Sequence, residues 1–304
     1  MEASRATPAA AAAALPASGA RQLASDLLAL TKPKVQSLLL LTTVTTMLVA
    51  GSPSIGLIVA TCIGGYLSAG GAGAVNHWYD RDIDAQMART ATRPIPSGRI
   101  APRTALWFGI ALGLLGFVWL SLTANVLAAS LSFSGFLGYT LMYTVWLKRR
   151  TWQNIIWGGA AGAVPPLVGW AAVTGGLTGL PIYLFAIVFF WTPPHFWALS
   201  LLMKDEYAKV GVPMLPVVRG EAETRRQILL YSVLLYAVTQ LPFCGGGGLD
   251  AIYLISSLVL GVVFIGLAVS LQRLATRKAA LRLYLYSLLY LALLFVSMVA
   301  DVKL

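Results

Sequence analysis

Charge and sulfur are both scarce in this chain. Only 11% of its 304 residues are charged while 58% are hydrophobic, and the mean hydropathy is +0.77. Those values exclude an ordinary soluble domain and mark an integral membrane protein with the lipid bilayer as its surroundings. Cysteine occurs twice, at Cys62 and Cys244, each in an apolar segment with no second thiol or histidine at ligand spacing. That excludes a cysteine-based metal motif and leaves packing as the expected role. Acidic residues number 11 against 22 Lys and Arg, a net charge of +11. In a soluble protein such an excess would point to nucleic acid; here the positions of the charges exclude that partner.

Residues 1–25 are rich in Ala, Pro and Ser and lack the apolar core of a secretory signal, so they read as a disordered tail. Arg5 and Arg21 fit a transit peptide's composition; Glu2 and Asp26 count against one. Residues 26–304 then form one transmembrane domain. A bilayer core about 30 Å thick needs roughly 20 apolar helical residues. Nine segments meet that length, at roughly 34–51, 54–78, 104–123, 125–147, 153–173, 180–201, 228–246, 251–271 and 281–300. The connecting loops alternate in kind. One set is charged (79–103, 148–151, 202–227, 272–282) and the other short and nearly uncharged (around 51–54, 123–125, 174–180, 244–250). Of the 22 Lys and Arg, 21 lie in the N-terminal stretch up to Lys34 or in the charged loops, the exception being Lys303. The positive-inside rule puts those loops on the cytoplasmic or equivalent side, and any polar active site must open there.

The second span ends in NHWYDRDID, residues 76–84. If it runs on as a helix, Asn76, Asp80 and Asp84 recur every four residues, drift only about 40° per step and share a face, with Asp82 pointing elsewhere. Oxygen donors at a membrane surface suit Mg²⁺, which keeps several waters and shares its shell with substrate phosphates. The plainer reading is a solvated helix end or a charge network with Arg81. RTATRPIPSGR at 89–99 follows, with Arg89, Arg93 and Arg99 in a loop stiffened by Pro94 and Pro96. Arginine forks suit phosphate oxygens. Carboxylates and arginines at the end of an apolar cavity fit an amphipathic substrate with a diphosphate head and a hydrocarbon tail.

The run N76-x3-D80-x3-D84-x2-M87-x-R89-T90-x2-R93-P94-x-P96-x-G98 resembles the first motif of the UbiA superfamily of intramembrane prenyltransferases, and its MxRTxxRP continuation resembles the heme-modifying branch. Thr31-Lys32-Pro33-Lys34, the stretch from Tyr139 to Trp170, Pro194-His195-Phe196-Trp197 and Pro213-Met214-Leu215-Pro216 agree, so the resemblance covers nearly the whole chain.

The resemblance implies an all-α fold of nine transmembrane helices around a central cavity. It also implies transfer of the farnesyl group of farnesyl diphosphate to a vinyl group of heme B, giving heme O for heme-copper oxidases. Heme B is there a substrate, Mg²⁺ the cofactor and a heme A synthase a partner. The setting implied is a bacterial plasma membrane with the site facing the cytoplasm, an organellar inner membrane being the second choice. The catalytic set carried over is Asn76, Asp80 and Asp84 with Lys204, Asp205 and Glu206 of a second motif. Asp80, Asp84, Asp205 and Glu206 are the metal ligands; counting back from Pro213, the family's aspartate falls on Glu206, and Asp205 is the other choice. Arg81, Arg89, Thr90, Arg93, Lys148, Arg149, Tyr139, Tyr143 and His195 are the substrate contacts. An allylic cation needs electron-rich surroundings, for which Trp78, Tyr79 and Trp146 are candidates beside the two tyrosines; each equally suits an interfacial belt.

His195 follows Pro193-Pro194 inside the sixth span. It reads either as a group at the heme site or as a hydrogen-bonded helix-end histidine. His77 lies about 100° from Asn76 and falls outside the metal face. Pro165-Pro166 and Pro193-Pro194 are expected to interrupt spans five and six and to form one cavity wall. Two other readings stay open. One is a related prenyltransferase acting on a quinone precursor or on chlorophyllide, although Met87-Ala88-Arg89-Thr90 departs from the chlorophyll pattern. The other is a transporter, against which the acids gather at one face rather than at mid-membrane.

Overall fold

The computed structural model describes residues 17–304. Among them nine helical segments are long and apolar enough to cross a membrane, and no strand occurs. A short helix α1 (Ala17–Leu30) precedes α2 (Pro33–Ala50) and α3 (Ile55–Tyr79), which leads into a single turn and a half, α4 (Arg81–Gln86). Next come α5 (Pro102–Thr123) and α6 (Val126–Leu137), which winds on as a π-helix over Gly138–Leu147. The fifth span is divided into α7 (Asn154–Gly162) and α8 (Val164–Thr174), and α9 (Gly179–Leu202) forms the sixth. Two short helices, α10 (Lys204–Lys209) and α11 (Leu215–Val218), carry the chain to α12 (Gly220–Thr239) with its extension α13 (Leu241–Cys244). Finally, α14 (Ala251–Leu274) and α15 (Arg277–Lys303) complete the bundle.

Local chemistry accounts for several ends. Ser54 and Asn125 cap α3 and α6, accepting from Leu57 N at 3.2 Å and Ala128 N at 2.8 Å. Proline opens α2 and α5, where its missing N–H costs nothing. The seventh span starts at Gly220, eight residues before the hydropathy places it, because Glu221 and Glu223 occupy the first turn, where a helix favours acids. Pro165-Pro166 do divide their span, at Ala163. Pro193-Pro194 do not: α9 runs through them unbroken, supported on both sides by packing that fixes its path.

The reading of 1–25 as a tail meets a difference at residues 17–25, which belong to α1; residues 1–16, and with them most of the tail and transit-peptide readings, lie outside the described residues. The helix is held because it has partners. Buried Asp26 accepts from Arg99 Nε at 3.1 Å on both oxygens, and Leu30 packs with Ala74, Ile95, Ile100 and Ala105.

Two bodies of packing position the site. In the first, α3 and α5 touch backbone to backbone. A Cβ on Gly71 would lie 2.5 Å from the Gly109 carbonyl oxygen and 2.8 Å from Gly113 N, so only glycine permits this approach. The second is the core of α9, α12, α14 and α15, built around buried Trp197, Tyr253, Phe264, Tyr290 and Phe295. The charged loops meet at one end, joined by Lys32 to Asn76, Lys148 to Asp80 and Arg277 to the Leu202 carbonyl. At the other end Lys303 Nζ donates to Gly51 O at 2.9 Å.

Candidate active site

The end of α3 carries Asn76 and the cap residue Asp80, and the chain turns only slightly before α4. Asp80 N donates to Asn76 O at 2.9 Å and Asp84 N to Asp80 O at 2.8 Å, so the i→i+4 pattern bridges the break and keeps the three side chains on one face. All three are buried, and Asn76 Nδ2 donates to Asp80 Oδ2 at 2.7 Å. Asp82 points away as expected. It is 58% exposed and grips Arg149 through two bonds of 2.7 and 2.8 Å, which hold its carboxyl below the usual range.

Each oxygen-bearing side chain meets a cation from a different part of the chain. Lys32 Nζ donates to Asn76 Oδ1 at 2.5 Å, Lys148 pairs with Asp80, and Arg93 Nη1 donates to Asp84 Oδ2 at 2.7 Å. Lys32 stands in the left-handed conformation (φ 54°) between α1 and α2, a rare geometry for a side-chain-bearing residue that aims it into the cluster. Burial first, then the charges of Arg93 and Lys148, lower its ammonium to about 7, against an upward pull from Asp80 and Asp84. Sequence reasoning quoted Lys32 within a motif and missed it as a site residue; its signal was adjacency to Pro33, which forces a turn at the mouth of a span.

The π-helical winding brings in the far wall. Nine residues separate Tyr139 from Lys148, and an α-helix at about 100° per residue would set them half a turn apart. The i→i+5 bonds, such as Lys148 N to Tyr143 O at 2.8 Å, keep Tyr139, Tyr143 and Lys148 on the same cavity. Thr144 from this segment accepts from Asn76 Nδ2 at 3.2 Å. The cavity, about 120 Å³, is closed from the charged loop at 202–227 by Tyr207 and Val212, and Arg89 also lines it. Burial pushes the Tyr207 hydroxyl up, against a downward pull from Arg89. Such a volume suits a phosphate head; sites that bury a drug-sized ligand run about 300–1,000 Å³.

Other expected residues fall elsewhere. Arg81 donates back to Trp78 O at 2.7 Å and stays at the surface. Buried Thr90 ties the loop by donating to Asp84 O at 2.9 Å. Arg149 sits over the Tyr79 ring and 3.6 Å from Asp80 Oδ1, bracing the cluster from outside. Trp78 packs among apolar residues and Trp146 is 56% exposed, so of the aromatic candidates only Tyr139 and Tyr143 face the cavity. His195 is not brought to it: its Nδ1 is 2.6 Å from Ser287 Oγ on α15, and its ring stacks between Trp191 and Tyr284. Lys204 and Asp205 line a separate crevice, where Lys204 donates to Glu221 Oε1 at 3.0 Å. In that same loop Glu206 has a buried, unpartnered Oε2, and its charge is felt by Tyr207 on the first cavity.

The donor set suits a hard divalent ion. Among the described residues no three acidic or imidazole side chains form a ready cage, yet Asp80 Oδ1 is buried without a hydrogen bond and Glu206 Oε2 likewise. Few carboxylates, all oxygen, with cations beside them is what an ion shared with phosphate and water requires.

Fold and site together describe an integral membrane protein with a charged, oxygen-lined cavity at one end of its helical bundle. The UbiA prenyltransferase family matches residues 39–297, and the chain belongs to that family. It is 52% identical over 285 residues to protoheme IX farnesyltransferase of Symbiobacterium thermophilum, covering 92% of this chain and 95% of that one. It is 55% identical over 283 residues to the protoheme IX farnesyltransferase of Chloroflexus aurantiacus, covering 92% of this chain but 48% of the relative, so it spans about half that protein's length. In fold it is similar to a digeranylgeranylglyceryl phosphate synthase (TM-score 0.76, 17% identity, covering 92% and 99% of the two chains). It is similar also to a UbiA homolog from Archaeoglobus fulgidus bound to DMAPP and Mg²⁺ (TM-score 0.67, 16% identity, 90% and 99%).

Proposed function

We propose that the protein transfers the farnesyl group of farnesyl diphosphate to a vinyl group of heme B, with release of diphosphate and addition of one water, giving heme O. The observation that carries this reading is the convergence of Asn76 and Asp84 with Lys32, Arg93, Lys148 and two tyrosines on one head-group-sized cavity, with buried Asp80 bound to two of its lining residues, Asn76 and Lys148. Identity above half to farnesyltransferases of protoheme IX, one of them matched almost end to end, supports the acceptor. The family is one of prenyltransferases, which leaves the transporter reading without support.

Asp80 and Asp84, with Asn76 beside them and Glu206 from the loop at 202–227, are the residues that would hold Mg²⁺. When bound, it neutralises charge on the departing diphosphate. The chain's own cations do the rest. Lys32, Arg93 and Lys148 are fixed in place before substrate arrives, so they stabilise the developing negative charge without reorganising. Tyr139 and Tyr143 line the cavity, where an allylic cation gains from electron-rich walls. The half-buried setting beneath Tyr207 and Val212 limits access of bulk water.

The charged end faces the cytoplasm of a bacterial plasma membrane by the positive-inside rule. Heme O carries an added fifteen-carbon chain and is more hydrophobic than heme B, which favours hand-over within the bilayer to a heme A synthase.

The test is to incubate purified protein with farnesyl diphosphate, Mg²⁺ and heme B and to look by mass spectrometry for hydroxyethylfarnesyl heme, with chlorophyllide and 4-hydroxybenzoate as competing acceptors. Product from heme is expected. Product from another acceptor and none from heme would overturn the acceptor, and full turnover by Asp80→Ala would overturn the site.

A further inference from the structure

A second cavity, about 230 Å³, opens at the same charged end between the ends of α9 and α14 and the starts of α10, α12 and α15. Lys204, Arg225 and Arg277 reach it from three different helices, against the acids Asp205 and Glu221. Glu221 lies between two of the cations, 3.0 Å from Lys204 Nζ and 3.5 Å from Arg225 Nη1. Arg225 Nε is nonetheless buried with no partner, and Arg277 spends one nitrogen on the Leu202 carbonyl at 3.0 Å. The lining also includes Ala275, an alanine held at φ 51°, a conformation that costs energy and gathers at functional sites.

The rim distinguishes this place from an ordinary charged loop. Arg273, Lys278 and Arg282 are exposed and pair with no carboxylate among the described residues. Beside them stand Leu274, 58% exposed, and Leu281, 44% exposed. Leucines bare at a span's end lie against acyl chains, and cations at that depth lie against headgroups. The floor is apolar, with Leu201, Leu202 and Leu271.

We infer that this crevice binds the phosphate headgroup of an anionic phospholipid from the cytoplasmic leaflet. A phosphodiester seated against Arg225 and Arg277 would satisfy guanidinium donors that the protein leaves unused, while its acyl chains pass over Leu274 and Leu281. Among the described residues the opposite end of the bundle has no comparable set of cations, so the site is specific to one leaflet. It is separate from the prenyl-transfer cavity and independent of which acceptor is used there.

The experiment uses the full chain in neutral detergent, titrated with phosphatidylglycerol or with phosphatidylcholine and read by native mass spectrometry. Wild type is expected to retain one phosphatidylglycerol where phosphatidylcholine has dissociated. At roughly fivefold per cation, Arg225→Gln with Arg277→Gln should weaken retention about 30-fold. Arg277→Gln alone, at an exposed helix start, should weaken it about fivefold and carries the test if the double variant does not fold. Arg150→Gln, an exposed cation of the same face outside the crevice, should change nothing. Equal loss in Arg150→Gln, or retention in Arg277→Gln, would reduce the effect to general surface charge and overturn the site. Inorganic phosphate binding by calorimetry with the same dependence on Arg277 would overturn the lipid and leave a free-anion site.

Discussion

Replacing Lys148 with methionine should expose what the ion pair with Asp80 contributes. The Asp80 side chain is 2% exposed and that of Lys148 15%, so the ammonium is the main compensation for a carboxylate removed from water. In the Lys148→Met variant the carboxylate keeps the Asn76 amide at 2.7 Å and Arg149 at 3.6 Å. Breaking a buried pair from one side costs about 3–5 kcal/mol. With those two groups remaining and Lys148 partly wet, the cost belongs at the low end, about 3 kcal/mol, or about 6–12 °C in melting temperature. Asp80→Asn alone strands the ammonium and should cost about 2 kcal/mol. The double variant should melt within about 1 kcal/mol of wild type, because neither charge is then left alone. The assay is thermal unfolding in detergent followed by tryptophan fluorescence, closed as a double-mutant cycle. Simple addition of the two single effects would refute the claim that this pair is buried and mutually dependent.

Lys32→Met should lower kcat/KM for farnesyl diphosphate by about 10²-fold through loss of one preorganised cation, measured in steady-state assays. Glu206→Gln should depress turnover by a similar factor of about 10² while Asp205→Asn stays within about threefold, because Glu206 Oε2 is buried without a partner next to Tyr207 of the transfer cavity while Asp205 lines the separate crevice; equal losses would put Asp205 back among the ligands. Chelation with EDTA should abolish transfer, and added Mg²⁺ should restore it, as read by product formation. Gly71→Ala should cost about 1–3 kcal/mol by forcing α3 from α5, seen as a lowered melting temperature with the charged residues untouched.

How much of this was legible depended on the range of the interaction. The nine spans follow from hydropathy, which is local and additive, and their ends fall close to those expected except at Gly220, where two glutamates hide a helix start. The shared face of Asn76, Asp80 and Asp84 follows from helical spacing and survives the break at Asp80 because the hydrogen bonds bridge it. Partner choice does not follow from spacing. Nothing in the spacing of Arg93, Lys148 and Arg149 says which acid each one takes, and Lys32 is separated from Asn76 by nearly two whole spans. His195 looked like a ligand because an imidazole within a bilayer is costly; Ser287 on the last helix meets that cost instead. The two adjacent acids 205 and 206 diverge because neighbours on a helix lie about 100° apart.

The π-helical run at 138–147 uses an additional residue for each closed ring. Deleting one residue there would let the segment tighten to ordinary winding and would leave eight steps between Tyr139 and Lys148, setting them about 80° apart around the axis. The segment would still be long and greasy enough to enter the lipid. Shortening by a single position would thus be silent to the insertion machinery while parting Lys148 from Tyr139, so the winding of this helix answers to the cavity and not to the thickness of the membrane.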